Sequence, residues 1–288
     1  MIPLDGRPAA LEDLCMLFVF RTLMVLAMVG TLVAADLKPS KATTLHNIPL
    51  WEEGKVPLAA GNGPLDAPFL TVFLPPEGKR NGAAVIIAPG GGNIMMMYGS
   101  EGMEIAERFN DWGAAAFVLT YRLSPRYGAN ARVLDGNRAM QLVRARAQEW
   151  KLHPDKIGFA GFSAGSPLGR SVVAAAKSAD PAAADPLDRV GSRPDFLIMV
   201  YSVGQATPGE QLKTFPPTFL LSAAADGPAN SSAQLFIDMN RAGAVAELHI
   251  YQKGRHGFGA AYGSPEFSPW MSALQHFLQQ GGFLPKDK

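Results

Sequence analysis

The sequence predicts an α/β domain with a mainly parallel central sheet that is covered by helices on both faces. Two observations carry this prediction. Short apolar runs, typical of strands buried on both faces, alternate with longer segments whose apolar residues recur at helical spacing. This alternation continues without a long linker after residue 66, as expected of one α/β domain. With 288 residues, of which 48% are hydrophobic, the chain can also bury a substantial core.

The first 35 residues are expected to be a signal peptide for export. Residues 23–35 are almost wholly apolar, Arg21 precedes them, and Val33-Ala34-Ala35 offers the small residues that signal peptidase needs. The run is shorter than the about 20 residues of a membrane span. Because the residues before Met16 are acidic, Met16 is expected to be the biological start, with an extension upstream. The chain is thus predicted to be secreted or periplasmic, without a membrane partner after cleavage; an uncleaved N-terminal anchor is the alternative.

The composition excludes several kinds of site. Its 26 basic and 25 acidic side chains nearly balance, and no basic stripe indicates a nucleic-acid partner. The only cysteine, Cys15, lies before the expected cleavage site. A mature chain without cysteine has no disulfide, no thiol nucleophile and no cysteine-bound zinc.

The elements follow in order from the lead-in. Residues 36–65, rich in proline, glycine and lysine, are predicted to be a surface lead-in to a single domain over 66–288. Seven apolar runs predict strands, at 69–74, 83–88, 114–121, 156–160, 196–201, 218–223 and 246–251. Helical spacing predicts five helices, at 101–112, 133–150, 168–177, 232–242 and 269–280. Residues 178–194 are expected to form a loop.

A Gly-x-Ser-x-Gly pentapeptide at 161–165 follows a predicted strand and precedes a predicted helix. In that position the pattern is typical of the nucleophile elbow of α/β-hydrolases. The hydroxyl of Ser163 can attack only if a tight turn holds it clear of the backbone. Side chains at Gly161 and Gly165 would collide with the neighbouring strand and helix. A plain glycine-rich turn is the alternative, so the rest of the chain must supply the partners.

Asp226 and His256 are predicted to complete a catalytic triad with Ser163. Each follows a predicted strand, so both should reach the same edge of the sheet as the serine. Their order, Ser then acid then His, is that of α/β-hydrolases. The imidazole would take the serine proton, and the carboxylate would orient the imidazole and stabilise its charged form. Asp226 alone could be a turn residue and His256 alone a solvated loop residue, but their joint placement favours the triad.

The backbone amides of Gly91, Gly92 and Ala164 are predicted to form an oxyanion hole. The glycines directly follow a buried strand, as this role requires, and each such donor can lower a barrier by roughly 3 kcal/mol. A phosphate-binding turn is the alternative, but the sequence contains neither the Gly-x-Gly-x-x-Gly pattern of dinucleotide-binding proteins nor a Walker pattern. Asn93 and Tyr98 are candidate substrate-binding residues.

The methionines at 95–97 fit an adaptable apolar pocket and ordinary core packing equally well. Their side chains are flexible enough to fill irregular spaces of either kind. The sequence leaves the choice open.

Several motifs between residues 50 and 283 match one known family. They are Leu50-Trp51, 70–75, 89–92, 118–123, Asp135 with Arg138-Ala139, Trp150, 153–158, 161–165 and 256–259. On these motifs the chain resembles secreted α/β-hydrolases of the acetyl-xylan esterase type, related to hormone-sensitive-lipase-like and feruloyl-esterase-like groups. The resemblance implies a serine carboxylic-ester hydrolase with no metal or organic cofactor. It also implies short acyl substrates, here acetyl esters on small molecules or on plant polysaccharide such as xylan.

The chain departs from this family at three places. Asn93 stands where relatives often carry an aromatic residue, and Gly227 stands where a second acidic residue often follows the triad aspartate. Ser166-Pro167 replaces a Gly-His pair just after the elbow, and a proline costs little only within the first turn of a helix. These changes bear on the pocket and the rate. Two alternatives stay open: an amidase or peptidase, and a hydrolase-fold binding protein without activity.

Overall fold

The computed structural model describes residues 46–202, 209–261 and 269–286. Within them the strands are β1 His46–Pro49, β2 Phe69–Phe73, β3 Ala84–Ala88, β4 Ala115–Thr120, β5 Ile157–Phe162, β6 Leu197–Val200, β7 Thr218–Ala223 and β8 Ala246–Tyr251. The helices are α1 Glu104–Asp111, α2 Ala129–Ala145, α3 Gly165–Ala174, α4 Gly209–Leu212, α5 Pro228–Arg241 and α6 Pro269–Gln280. A π-helical turn, Gly99–Met103, leads into α1.

The strands form one sheet in the order β1-β2-β4-β3-β5-β6-β7-β8. The pairs β1-β2 and β2-β4 are antiparallel, and the pairs from β4 to β8 are parallel. The chain places β4 on one side of β3 and β5 on the other, so the direction of winding changes at β3. Open α/β sheets bind ligands beyond the carboxyl ends of the strands at such a switch point.

The core lies on both faces of the sheet because successive residues of each buried strand point to opposite sides. On β3, Ile86 belongs to one apolar cluster, while Val85 and Ile87 belong to the other. Helices α2, α3 and α5 pack on the first face, and α1 and α6 pack on the second. The predicted mainly parallel, two-faced sheet is therefore confirmed.

The sheet begins inside the segment that was predicted to be a surface lead-in. β1 pairs with β2, with His46 opposite Val72, and Leu50 just after β1 is buried in the core. The domain therefore starts by residue 46 and not at residue 66. The boundary was missed because β1 is an edge strand that is joined by backbone hydrogen bonds, and its largely exposed side chains show no apolar alternation. The predicted signal peptide and the start at Met16 lie outside the described residues.

Most element bounds lie close to their predictions, and β7, β8 and α6 coincide with them. The main difference is α2, which runs from Ala129 to Ala145 and not from 133 to 150. Trp150 lies beyond its end, yet it is buried and its ring centroid lies 4.8 Å from that of Phe117. The helical spacing of Trp150 correctly predicts that it is buried, but residues 146–150 form turns and not a helix.

A buried ion pair ties the end of β4 to α2. The side chains of Arg122 and Asp135 are 1% and 0% exposed, and Nη2 donates to Oδ1 at 2.6 Å. Nε and the backbone amide of Arg122 also donate to this carboxylate, at 3.0 and 2.9 Å. The guanidinium lies 5.0 Å from the ring centroid of Tyr127 and 5.5 Å from that of Trp51. The pair therefore holds the segment after β1 against the helix layer.

We expect Asp135→Ala to lower the free energy of unfolding by about 3–5 kcal/mol, because it leaves the Arg122 charge buried without its partner. Urea denaturation measures this. Asp111→Ala is the matched control, since Asp111 is exposed and lies 4.0 Å from Arg108. Breaking an exposed pair should change stability by less than about 1 kcal/mol. Similar losses in the two variants would contradict the role of the buried pair.

Candidate active site

Ser163 lies on the turn that joins β5 to α3, in a backbone conformation that residues other than glycine rarely adopt. Its φ is +49°, and holding a residue in this region costs about 1–3 kcal/mol. A Cβ at Gly161 would lie 2.2 Å from the carbonyl oxygen of Gly165, and a Cβ at Gly165 would lie 2.0 Å from that of Ala88. The colliding groups are backbone, which cannot easily move. Both glycines are therefore required for the turn.

The structure brings the three predicted triad residues together. Ser163 Oγ lies 2.6 Å from His256 Nε2, and His256 Nδ1 lies 2.8 Å from Asp226 Oδ2. The Asp226 side chain is 7% exposed, and that of His256 is 41% exposed. The carboxylate is thus shielded, while the serine and the imidazole are open to a ligand.

These distances define a path for the proton of the Ser163 hydroxyl. When His256 is neutral, its Nδ1–H donates to the Asp226 carboxylate, and its Nε2 accepts from the Ser163 hydroxyl. The imidazole can then receive the serine proton, and the fixed carboxylate stabilises the imidazolium that forms. The arrangement is suited to nucleophilic attack on a carbonyl carbon.

The glycine loop after β3 lies directly against the elbow. A Cβ at Gly90 would lie 2.5 Å from Cβ of Ser163, and the Gly90 amide already donates to Glu101 at 2.7 Å. In the described part of the chain, no hydrogen bond uses the amides of Gly91, Gly92 or Ala164. The amides of these three residues, the predicted oxyanion donors, therefore have no partner within the described residues. The Gly90 amide already donates to Glu101 and could not act as an oxyanion donor.

Asn93 continues the loop with a φ of +63°, in the left-handed region. Asparagine tolerates this conformation better than most residues. Its carbonyl accepts from the amide of Ser124 at 2.7 Å. Tyr98 is half-buried, and its hydroxyl donates to the buried Thr71. This contact lies within the fold, so substrate binding by Tyr98 stays a prediction without support from its hydrogen bond.

An apolar turn follows the glycine loop and folds back on it. The Met95 amide donates to the carbonyl of Gly91 at 3.1 Å. Ile94, Met95 and Met97 are exposed, whereas Met96 packs against the core. The two interpretations of the methionines thus apply to different residues. The exposed three form an apolar rim beside the predicted oxyanion donors.

Pro167 sits in the first turn of α3, two residues after Gly165. A backbone N–H in this turn has no partner within the helix, so the proline removes no helical hydrogen bond. The amide of Ser166 donates to the carbonyl of Ser163 at 3.0 Å, which closes the turn before the proline. Ser166-Pro167 therefore leaves the elbow intact.

Sequence reasoning missed Glu101, a carboxylate buried behind the site and only 1% exposed. Its Oε1 accepts from the hydroxyl of Tyr201 at 2.6 Å, and burial raises the pKa of its carboxyl above the usual range. The Tyr201 ring lies 4.8 Å from the ring of His256. A signal was available, because Glu101 lies four residues before the buried Ile105, at helical spacing. The structure places Glu101 in the π-helical turn Gly99–Met103 that leads into α1.

Within residues 46–202, 209–261 and 269–286, no group of three or more His, Cys, Asp or Glu side chains could hold a metal ion. No helix there is both long and apolar enough to cross a membrane.

The chain is similar to one family model and to two curated proteins. Residues 70–187 match the BD-FAE family. An acetylxylan esterase of Xylanibacter ruminicola is 26% identical, over 89% of this chain and 53% of that protein. The endo-1,4-beta-xylanase B of Butyrivibrio fibrisolvens is also 26% identical, over 80% of this chain and 40% of that protein. The chain thus spans about half, or less, of the length of these curated relatives.

Solved structures share the fold over nearly their whole length. An acetyl ester-xyloside bifunctional hydrolase from Caldicellulosiruptor lactoaceticus superposes with a TM-score of 0.75 at 29% identity, covering 83% of this chain and 97% of that one. The native esterase Est2 of Thermogutta terrifontis superposes with a TM-score of 0.68 at 20% identity, covering 87% and 97%. These matches show that the chain shares its fold with both solved structures.

We expect Gly165→Ala to lower the free energy of unfolding by about 1–3 kcal/mol or more, because the new methyl group would overlap the Ala88 carbonyl. It should also slow labelling of Ser163 by a fluorophosphonate, since the elbow must shift. Chemical denaturation and mass spectrometry measure the two effects. Gly78→Ala is the control, because no atom lies within 4 Å of its added Cβ. Wild-type stability and labelling in Gly165→Ala would show that the contact is not limiting.

Proposed function

We propose that this chain, an α/β-hydrolase related to the BD-FAE family, is a serine esterase that cleaves short acyl esters through a covalent acyl-enzyme. The observation that carries the proposal is the hydrogen-bonded series from Ser163 through His256 to Asp226. It stands on a strained elbow beside unoccupied backbone donors. The relatives named as esterases support the same class of reaction.

In the first half of the reaction, Ser163 Oγ forms a bond to the ester carbonyl carbon while its proton passes to His256 Nε2. The carbonyl oxygen becomes negative and is stabilised by amides at Gly91, Gly92 and Ala164. His256 then gives its proton to the leaving alkoxide as the C–O bond breaks. The alcohol departs, and the acyl group stays on the serine.

In the second half, water takes the place of the serine. His256 Nε2 accepts a proton from the water as its oxygen attacks the acyl carbon, and the same amides stabilise the oxyanion. The proton returns to Ser163 Oγ as the acyl–oxygen bond breaks, which releases the acid. Asp226 remains ionised throughout and balances the charge of the imidazolium.

The proposed substrates are acetyl esters, including those on xylan. One relative is named acetylxylan esterase and a similar structure is named acetyl ester-xyloside bifunctional hydrolase, which supports this class. The partly exposed His256 fits a bulky alcohol that stays outside the site. Export, inferred from the N-terminal residues alone, would bring the enzyme to such a polymer.

We expect Ser163→Ala to lower kcat for p-nitrophenyl acetate by about 10⁴-fold or more, because the acyl-enzyme cannot form. Initial rates of nitrophenol release measure this. Ser178→Ala, the same change at an exposed serine, should keep the wild-type rate. Equal rates for Ser163→Ala and wild type would rule out the proposed nucleophile.

Acetylated xylan should release acetate with the wild-type chain but not with Ser163→Ala. Acetate release is compared with hydrolysis of aryl esters of increasing acyl length and of aminoacyl amides. We expect acetyl esters to be cleaved fastest, with kcat/KM falling as the acyl chain lengthens. Turnover of the amides alone would instead support an amidase or peptidase.

A further inference from the structure

We propose that Glu101 is a positioning residue that fixes two loops relative to each other and places a second negative charge behind His256. The two loops are the oxyanion loop (residues 89–93) and the histidine loop (residues 254–259). The proposal deepens the proposed function, on which it rests for its meaning in ester cleavage. Its evidence lies in the two oxygens of one buried carboxylate, each of which binds a different side of the site.

The first oxygen fixes the oxyanion loop. Glu101 Oε2 accepts the Gly90 amide at 2.7 Å, in a fully buried hydrogen bond. Gly90 directly precedes Gly91, and a Cβ at Gly90 would lie 2.5 Å from Ser163 Cβ and 2.7 Å from this same oxygen. The carboxylate therefore anchors the residue that sets the distance between the donors and the nucleophile.

The second oxygen reaches the histidine loop through Tyr201. The Tyr201 hydroxyl donates to Glu101 Oε1 at 2.6 Å and accepts from the amide of Gly259 at 3.2 Å. Its ring lies 4.8 Å from the imidazole of His256. The backbone of Tyr201 has a φ of +36°, a strained value that such fixed contacts can maintain. One carboxylate thus positions both the loop that carries His256 and the ring packed on its face.

The Glu101 carboxylate is buried without a cationic partner in the part of the chain that the structure describes. Among the described residues, none of the ion pairs includes Glu101, and both of its hydrogen-bond partners, the Gly90 amide and the Tyr201 hydroxyl, act as donors. The titratable groups that face it are Tyr201, Tyr121 and His256. Burial raises the pKa of Glu101, while attraction to His256 lowers it. The same attraction stabilises the imidazolium that forms when the serine attacks.

The test is the second-order rate at which a fluorophosphonate labels Ser163, followed against pH in Glu101→Gln. This rate reports the nucleophile and its base without requiring an ester substrate. We expect it to fall roughly 10- to 100-fold, as displaced catalytic groups do. The acid limb of the profile should also move to lower pH, because the removed charge no longer favours the protonated imidazole. A purely structural role would not move this limb.

Two further variants complete the experiment. Glu107→Gln makes the same change on the exposed side of α1 and should keep the wild-type rate and limb. Tyr201→Phe keeps the ring but removes the hydroxyl, so it should slow labelling severalfold while the limb stays in place. Thermal unfolding of each variant shows that it is folded. If Glu101→Gln does not fold, wild-type labelling in Tyr201→Phe would overturn the proposal.

The outcomes separate the two proposals. If folded Glu101→Gln labels at the wild-type rate, or slows without any movement of the limb, the positioning role is wrong. If the wild-type chain labels but cleaves no ester, the proposed function fails while the role of Glu101 stands. A wild-type chain that does not label at all would overturn both.

Discussion

The site depends on a close approach of backbone to backbone where the elbow meets the glycine loop. The turn after β5 and the loop after β3 come from adjacent parallel strands, with Ala88 opposite Gly161 in register. Where the two strands meet, an added Cβ at Gly165 would lie 2.0 Å from the carbonyl oxygen of Ala88, and within the elbow an added Cβ at Gly161 would lie 2.2 Å from that of Gly165. A backbone oxygen cannot turn away as a side chain can, so only glycine fits at either position. The absence of side chains there lets Ser163 and the predicted oxyanion donors share one small space.

The strained backbone of Ser163 is maintained by the strand and the helix on either side of it. Ser163 keeps a φ of +49° because β5 is buried on both faces and α3 starts directly after the turn. Asp226 and His256 reach the serine from the ends of β7 and β8, which extend the same parallel edge. Glu101 adds a fixed point beneath the site that the triad does not supply. The reactive groups are therefore placed by rigid elements, as a preorganised site requires.

Sequence patterns singled out three side chains that the structure brings together, because each follows a strong local signal. Ser163 lies within a short glycine motif, and Asp226 and His256 come just after apolar runs. Patterns failed where a contact leaves no trace in neighbouring residues. The edge strand His46–Pro49 pairs through its backbone, so its side chains carried no signal. The contact of the Tyr98 hydroxyl with the buried Thr71 likewise has no local signal, and substrate binding by Tyr98 stays a prediction.

The sequence by itself determined the alternation of strands and helices, the type of nucleophile and the order of its partners. These follow from the period of apolar residues and from the chemistry of individual side chains, which are local properties. Only the tertiary structure decided that Pro167 is harmless, that Gly90 is occupied while its neighbours are not, and that Glu101 belongs to the site. Glu101 and Tyr201 stand 100 positions apart, and no local pattern relates them. Their contact exists because the parallel sheet brings the ends of distant strands to one edge.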